Sequence, residues 1–219
     1  MTRTRGRIVC VSEGVGDQEA VPRLVVRWLK HHGVGARFDV ARLAVMAKTG
    51  DRLTHAHDAG RRLGIEHYVS VALRQQPTAV LVVLDADDAC LASAARRPGP
   101  LGPALLDRAR GVAGDVHVSV VIAHREFEAW FLADFPSLRE RRIVRSDARL
   151  PDGLWHNPES RRGCKEVLAE VLSGGYRPAR DQLRVTDALS MGSRMRDQSR
   201  SYRKFHEEMG RIARLGGAV

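Results

Sequence analysis

The sequence predicts an α/β fold built on a mostly parallel sheet flanked by helices, with a helical extension at its C-terminus. Three observations predict it. Short apolar, β-rich runs at 7–11, 79–84 and 117–123 alternate with segments of helical periodicity, the order of βαβ units joined by right-handed crossovers. Ala79-Val80-Leu81-Val82-Val83-Leu84 is apolar at every position and too short for a helix, as strands in the middle of parallel sheets are. Beyond residue 141 the strand signal fades, Gly, Pro and Arg rise, and helical spacing takes over.

Residues 7–11 read as the first strand, Ser12 to Asp17 as a loop, and 19–31 as a helix with Val21, Leu24, Val25 and Leu29 on one face. Gly33-Val34-Gly35 stops that helix, and 38–45 supplies a second strand. A mostly helical stretch over 52–75 follows, interrupted by Gly60 and Gly64. After the strand at 79–84 and a Pro/Gly-punctuated loop come a helix over 103–111, a strand over 117–123 and a helix over 125–133. Three helices complete the chain, over 158–173, 178–189 and 193–215, the last with Tyr202, Phe205, Met209 and Ile212 on one stripe.

A chain of 219 residues suits one compact unit, here divided into a core over 1–140 and a basic, mainly helical extension over 141–219 packed on it. With 43% hydrophobic and 28% charged residues it can bury a core without disulfides or a structural metal. Cys10, Cys90 and Cys164 are odd in number and far apart, against a disulfide framework or zinc ribbon. No apolar run reaches the length of a signal peptide or membrane span, so the expected compartment is a reducing cytoplasm. The net charge of +10 is uneven: residues 139–219 hold 18 Lys/Arg against 11 Asp/Glu, the pattern of a phosphate-binding flank or of an Arg-rich composition alone.

Open parallel sheets bind ligands at the carboxyl ends of their strands. Here acids follow each of the best strands: Glu13 and Asp17, then Asp85, Asp87 and Asp88, then Glu126 and Glu128. Gathered at one edge they would repel one another, a cost that a divalent cation relieves, and Mg²⁺ suits sites where carboxylates leave positions for water and phosphate. Each group also has a plain reading: helix capping for Glu13 and Asp17, a solvated turn for 85–88, and an exposed helix face for Glu126 and Glu128. Gly14-Val15-Gly16 departs from a dinucleotide loop, with Glu19 where the third glycine belongs. His55 and His57 diverge on a helix and do not make a metal pair. Trp155 and His156 suit packing more than base stacking.

Val11-Ser12-Glu13-Gly14-Val15-Gly16-Asp17 followed downstream by Leu84-Asp85-Ala86-Asp87-Asp88 resembles the Toprim signature. His124 to Asp134 and Ser201-Tyr202-Arg203-Lys204-Phe205 are similar to segments of small bacterial Toprim-like proteins of unknown function, related to the nuclease domain of the OLD family. The resemblance implies a Toprim-like, Rossmann-like fold. It implies that Glu13, Asp85 and Asp87 bind one or two Mg²⁺ or Mn²⁺ ions, with Asp17 as a further acid. Glu126 or Glu128, the latter favoured, would complete the site, and Lys165 would be the catalytic lysine.

The function expected on this resemblance is metal-dependent hydrolysis of DNA or RNA, with Arg161, Arg162, Lys165, Arg200, Arg203 and Lys204 holding nucleic acid. It further implies a separately encoded ABC-like ATPase partner and a role in phage defence, and leaves self-association open. A non-catalytic binding or regulatory subunit is the alternative. A primase-like enzyme is a third class, disfavoured by the lack of a zinc module or nucleotide pocket.

Overall fold

The computed structural model describes residues 5–47, 52–55, 63–86 and 101–216. Five strands, β1 (Gly6–Ser12), β2 (Phe38–Val40), β3 (Val45–Met46), β4 (Ala79–Asp85) and β5 (His117–Ala123), form one parallel sheet of order β2-β1-β4-β5, with β3 pairing the end of β1. The fold is α/β and Rossmann-like, as expected.

Strand alternation divides the core between two faces. Ile8, Cys10, Leu81, Val83 and Val121 point to one, and Val9, Val11, Val80, Val82, Val118 and Val120 to the other. α1 (Asp17–His31) covers the first face; α2 (Ile65–Leu73) and α3 (Leu101–Ala113) cover the second. Both faces of β4 are therefore sealed, which is why its sequence is apolar throughout.

The expected second strand over 38–45 is two short strands. Pro22, inside α1, has no N–H to donate to the carbonyl of Gln18, and Ala44 N–H donates there instead at 2.8 Å. That bond draws the chain out of the ladder between β2 and β3. The helix expected over 52–75 is corrected as well: among the described residues, 52–55 form a turn, Gly64 is extended, and helix covers Ile65–Leu73. Arg108 of α3 holds the turn by bonding the carbonyls of Thr54 and His55 while pairing with Glu66. His57 lies outside the described residues.

The C-terminal residues supply α4 (Glu128–Ala133), α5 (Phe135–Glu140), α6 (Cys164–Val171), α7 (Pro178–Asp187), α8 (Ser193–Gln198) and α9 (Arg200–Leu215). The single helix expected over 193–215 breaks at Ser199, whose extended backbone and hydroxyl cap α9 through Tyr202 N–H. Glu159, buried, accepts from Ser199, Ser201 and the Arg200 amide and fixes this junction. Tyr202, Phe205, Met209 and Ile212 are fully buried in the same cluster as α1 and β4. Ser119 of β5 donates to Glu208 of α9 at 2.7 Å, and Trp28 of α1 to His206 at 3.0 Å. Residues beyond 141 thus complete the first face of the core. Cys10 and Cys164 are buried free thiols, and no helix among the described residues is long and apolar enough to cross a membrane.

Phe205→Ala is expected to cost about 3–5 kcal/mol, with urea unfolding of the whole chain remaining one transition; two separated transitions would show that the extension folds on its own.

Candidate functional site

The connection leaving β1 leads to β2 on one side, whereas β4 and then β5 lie on the other, so β1 and β4 are neighbours at a point where the strand order reverses. A crevice opens beyond their carboxyl ends at such a point. A cleft of about 510 Å³ occupies it, and Glu13, Asp17, Arg52, Asp85, Glu128 and Lys165 line it. The loop 13–16 brings Glu13, the first residue of α1 brings Asp17, the last residue of β4 brings Asp85, α4 brings Glu128, and α6 brings Lys165.

Hydrogen bonds fix each side chain. Glu13 accepts from the Leu53 amide. Asp17 accepts from the Gly14 amide at 3.1 Å and from the Gln182 side chain of α7. α7 can approach because residue 16 is glycine: a Cβ there would lie 1.9 Å from Gln182 Oε1 and 2.8 Å from the Pro178 carbonyl. Asp85 Oδ1 accepts from the Phe127 amide at 2.7 Å, which ties the end of β4 to the segment after β5. Glu128, 1% exposed, accepts from the Tyr176 hydroxyl at 3.0 Å through Oε1, while its Oε2 is buried without any hydrogen bond. Lys165 Nζ stands 3.6 Å from Asp85 Oδ2 and 3.8 Å from Glu128 Oε2.

Glu126 points elsewhere. Its two oxygens accept from the backbone amides of Gly163 and Lys165 at 3.0 Å each, capping the first turn of α6. Of the two acids left open by the sequence, Glu128 lies in the cleft and Glu126 positions the helix that carries Lys165. Among the described residues no three Asp, Glu, His or Cys side chains stand close enough together to cage an ion. Asp87 and Asp88 lie outside the described residues.

The acids interact electrically. Burial raises the Asp85 carboxyl well above its ordinary pKa, and the charges of Glu128 and Asp17 push it the same way, against Lys165 and the Phe127 amide. Burial lifts Glu128 to about 7 against the pull of Lys165. It raises Asp17 too, although the bonds from Gln182 and Gly14 oppose it. At Lys165 burial acts downward, but Glu128, Asp85, Glu126 and Asp17 outweigh it and the pKa rises. A pocket of carboxylates that resists ionisation, with one ammonium among them, favours any further cation.

The expected nucleic-acid contacts divide. Lys165 is in the cleft, exposed Arg161 and Arg162 precede α6, and Arg200 and Arg203 line a separate polar cleft with His124. Lys204 is paired with Glu208 at 2.6 Å. Sequence reasoning missed Tyr176 and Gln182 as parts of the site. They reach it from the segment around α7, and no motif or spacing marks them.

Glu128→Gln tests this electrostatic account in metal-free protein. The folded pKa of about 7 exceeds the ordinary 4.5, so the carboxyl costs nothing below the lower value, weakens the fold progressively between the two, and costs a constant amount above the higher one. The variant should match the parent in thermal unfolding near pH 4 and exceed it at pH 8 by roughly 1–3 kcal/mol.

Comparison with curated proteins yields no match, and neither does comparison with solved structures. The family model described as a domain of unknown function, DUF4276, matches residues 12–210, which span the loop after β1, the cleft and nearly all of α9. The chain therefore belongs to the DUF4276 family.

Proposed function

We propose that this protein is a Mg²⁺- or Mn²⁺-dependent phosphodiesterase acting on DNA or RNA, with the cleft between β1 and β4 as its active site. The observation that carries the reading is the orphaned oxygen of Glu128, buried beside Asp85 with Lys165 Nζ 3.8 Å away. An anionic oxygen left without a hydrogen bond in a dry site is costly unless a cation completes it. Asp85 and Glu128 would hold the ion; Glu13, Asp17 and Asp87 are further candidates through the sequence resemblance alone. Mg²⁺ fits such a set, since one or two carboxylates plus water and substrate phosphate suffice for it.

When bound, the ion would lower the pKa of the attacking water and draw charge from the phosphate. The chain's own groups do the rest. Lys165 offers an ammonium to the non-bridging oxygen on which negative charge accumulates, and Glu126 keeps that lysine in place by capping α6. The Tyr176 hydroxyl holds Glu128 in one orientation. Partial burial excludes bulk water and strengthens both contacts.

The wider reading follows from the sequence resemblance: a cytoplasmic Toprim-type component of a phage-defence system, paired with a separately encoded ABC-like ATPase. A second reading has one observation in its favour. Lys165 already compensates Asp85 and Glu128, so the protein could be a regulatory subunit in which an internal ion pair replaces the metal.

Thermal unfolding with Mn²⁺ separates the two. Stabilisation in the parent that disappears in Asp85→Asn supports the enzyme, and an unchanged parent supports the regulatory subunit. Labelled DNA and RNA incubated in Mn²⁺ should be cut by the parent and at least ~100-fold more slowly by Asp85→Asn or Lys165→Ala. Undiminished cleavage by Asp85→Asn would remove the mechanism.

A further inference from the structure

Beside the active cleft lies a second, smaller one of about 430 Å³, lined by His124, Arg125, His156, Arg200 and Arg203. Several cations elsewhere on the molecule meet carboxylates: Arg23 with Asp187, Arg108 with Glu66, Arg180 with Asp181, Lys204 and Arg211 with Glu208. In this cleft, among the described residues, none of the five side chains forms a salt bridge or a hydrogen bond to a carboxylate, and Arg125 Nε is buried without a partner. Two acids share the lining. Glu159 is buried and already accepts from Ser199, the Arg200 amide and Ser201, which leaves Asp197 to face three guanidinium groups.

Among the described residues none lines both clefts, but two chain segments contribute to each. Arg125 has φ 67°, a left-handed backbone uncommon outside glycine, and this turn follows directly on β5. It places Arg125 at the second cleft, Glu126 on α6 and Glu128 in the first, within four consecutive positions. In the other segment Asn157 and Ser160 line the second cleft and Lys165 the first.

We propose that Arg125, Arg200 and Arg203, converging without carboxylate partners on a cleft that shares two chain segments with the Asp85–Lys165 site, form a phosphate-binding subsite for a nucleic-acid strand. Planar guanidinium groups suit phosphate oxygens, which they can meet in pairs. His124 and His156 add donors, and the Asn157 and Ser160 side chains complete a polar lining. Naming the ligand as nucleic acid rests on the phosphodiesterase reading; the anion pocket does not.

Binding is measured without metal, so that it is independent of cleavage. A short fluorescein-labelled single-stranded oligonucleotide is titrated in EDTA at several salt concentrations. The parent should bind it, and Arg200→Ala/Arg203→Ala should bind roughly tenfold more weakly, with a salt slope smaller by about one. Arg125→Asn, which tolerates the left-handed turn, and Arg203→Glu should weaken it too, while Arg74→Ala at the far end of α2 should not. Circular dichroism shows that each variant is folded. Oligonucleotides with a 5′-phosphate and a 5′-hydroxyl distinguish the source: equal affinity assigns the subsite to an internal phosphodiester, and a preference for the phosphate assigns it to a strand end. Variants that bind like the parent, an equal loss in Arg74→Ala, or a parent that binds no oligonucleotide and no pyrophosphate would each overturn the subsite. Arginine-dependent binding in a parent that cuts nothing in Mn²⁺ would keep the subsite and remove the phosphodiesterase.

Discussion

The parallel ladder joining β1, β4 and β5 is the constraint on which the rest of the molecule depends. Val11 faces Val82 and Asp85 faces Ala123, so β4 and β5 end together, about two residues beyond the end of β1. Every residue that follows them, from Glu13 to Asp85 to the Glu126–Glu128 turn, emerges at the same edge. A slip of one residue in β4 would turn Asp85 to the opposite face and exchange the two apolar sets. The continuous aliphatic sequence of β4 does not discriminate between its faces, and the register is set by α1 above and α2 and α3 below.

Carboxylates used as structural pins hold the edge together. Glu126 caps α6, Glu159 caps α9, and Asp85 accepts the Phe127 amide. Each joins segments remote in sequence by satisfying backbone donors that would otherwise be orphaned. Two of these acids flank the positions assigned to chemistry. The placement of Lys165 is thus a consequence of Glu126, and the placement of Arg200 a consequence of Glu159.

The core treats residues beyond 141 as its own. Without α9 the first face of β5 would lose Tyr202, Phe205 and Met209, and the Ser119 hydroxyl would lose Glu208. The high arginine content of this part follows from geometry as well as charge. α9 buries one stripe completely and leaves Arg203, Lys204 and Arg211 to solvent on the other.

The sequence by itself determined the α/β class, the strands at 7–11, 79–84 and 117–123, each of which the structure contains, the buried stripe of the last helix, and the acids at the strand ends, because periodicity and short-range apolar runs are local properties. Only the tertiary structure decided that 38–45 is broken, since the cause is a carbonyl left free by Pro22 in another element. Only it could separate Glu126 from Glu128, two residues apart, because one meets the amides of α6 and the other meets Lys165 and Tyr176. Tyr176, Gln182 and the company kept by Arg125 were illegible for the same reason. A side chain's role in a site depends on what lies across the gap from it, and that partner is fixed by packing between distant segments.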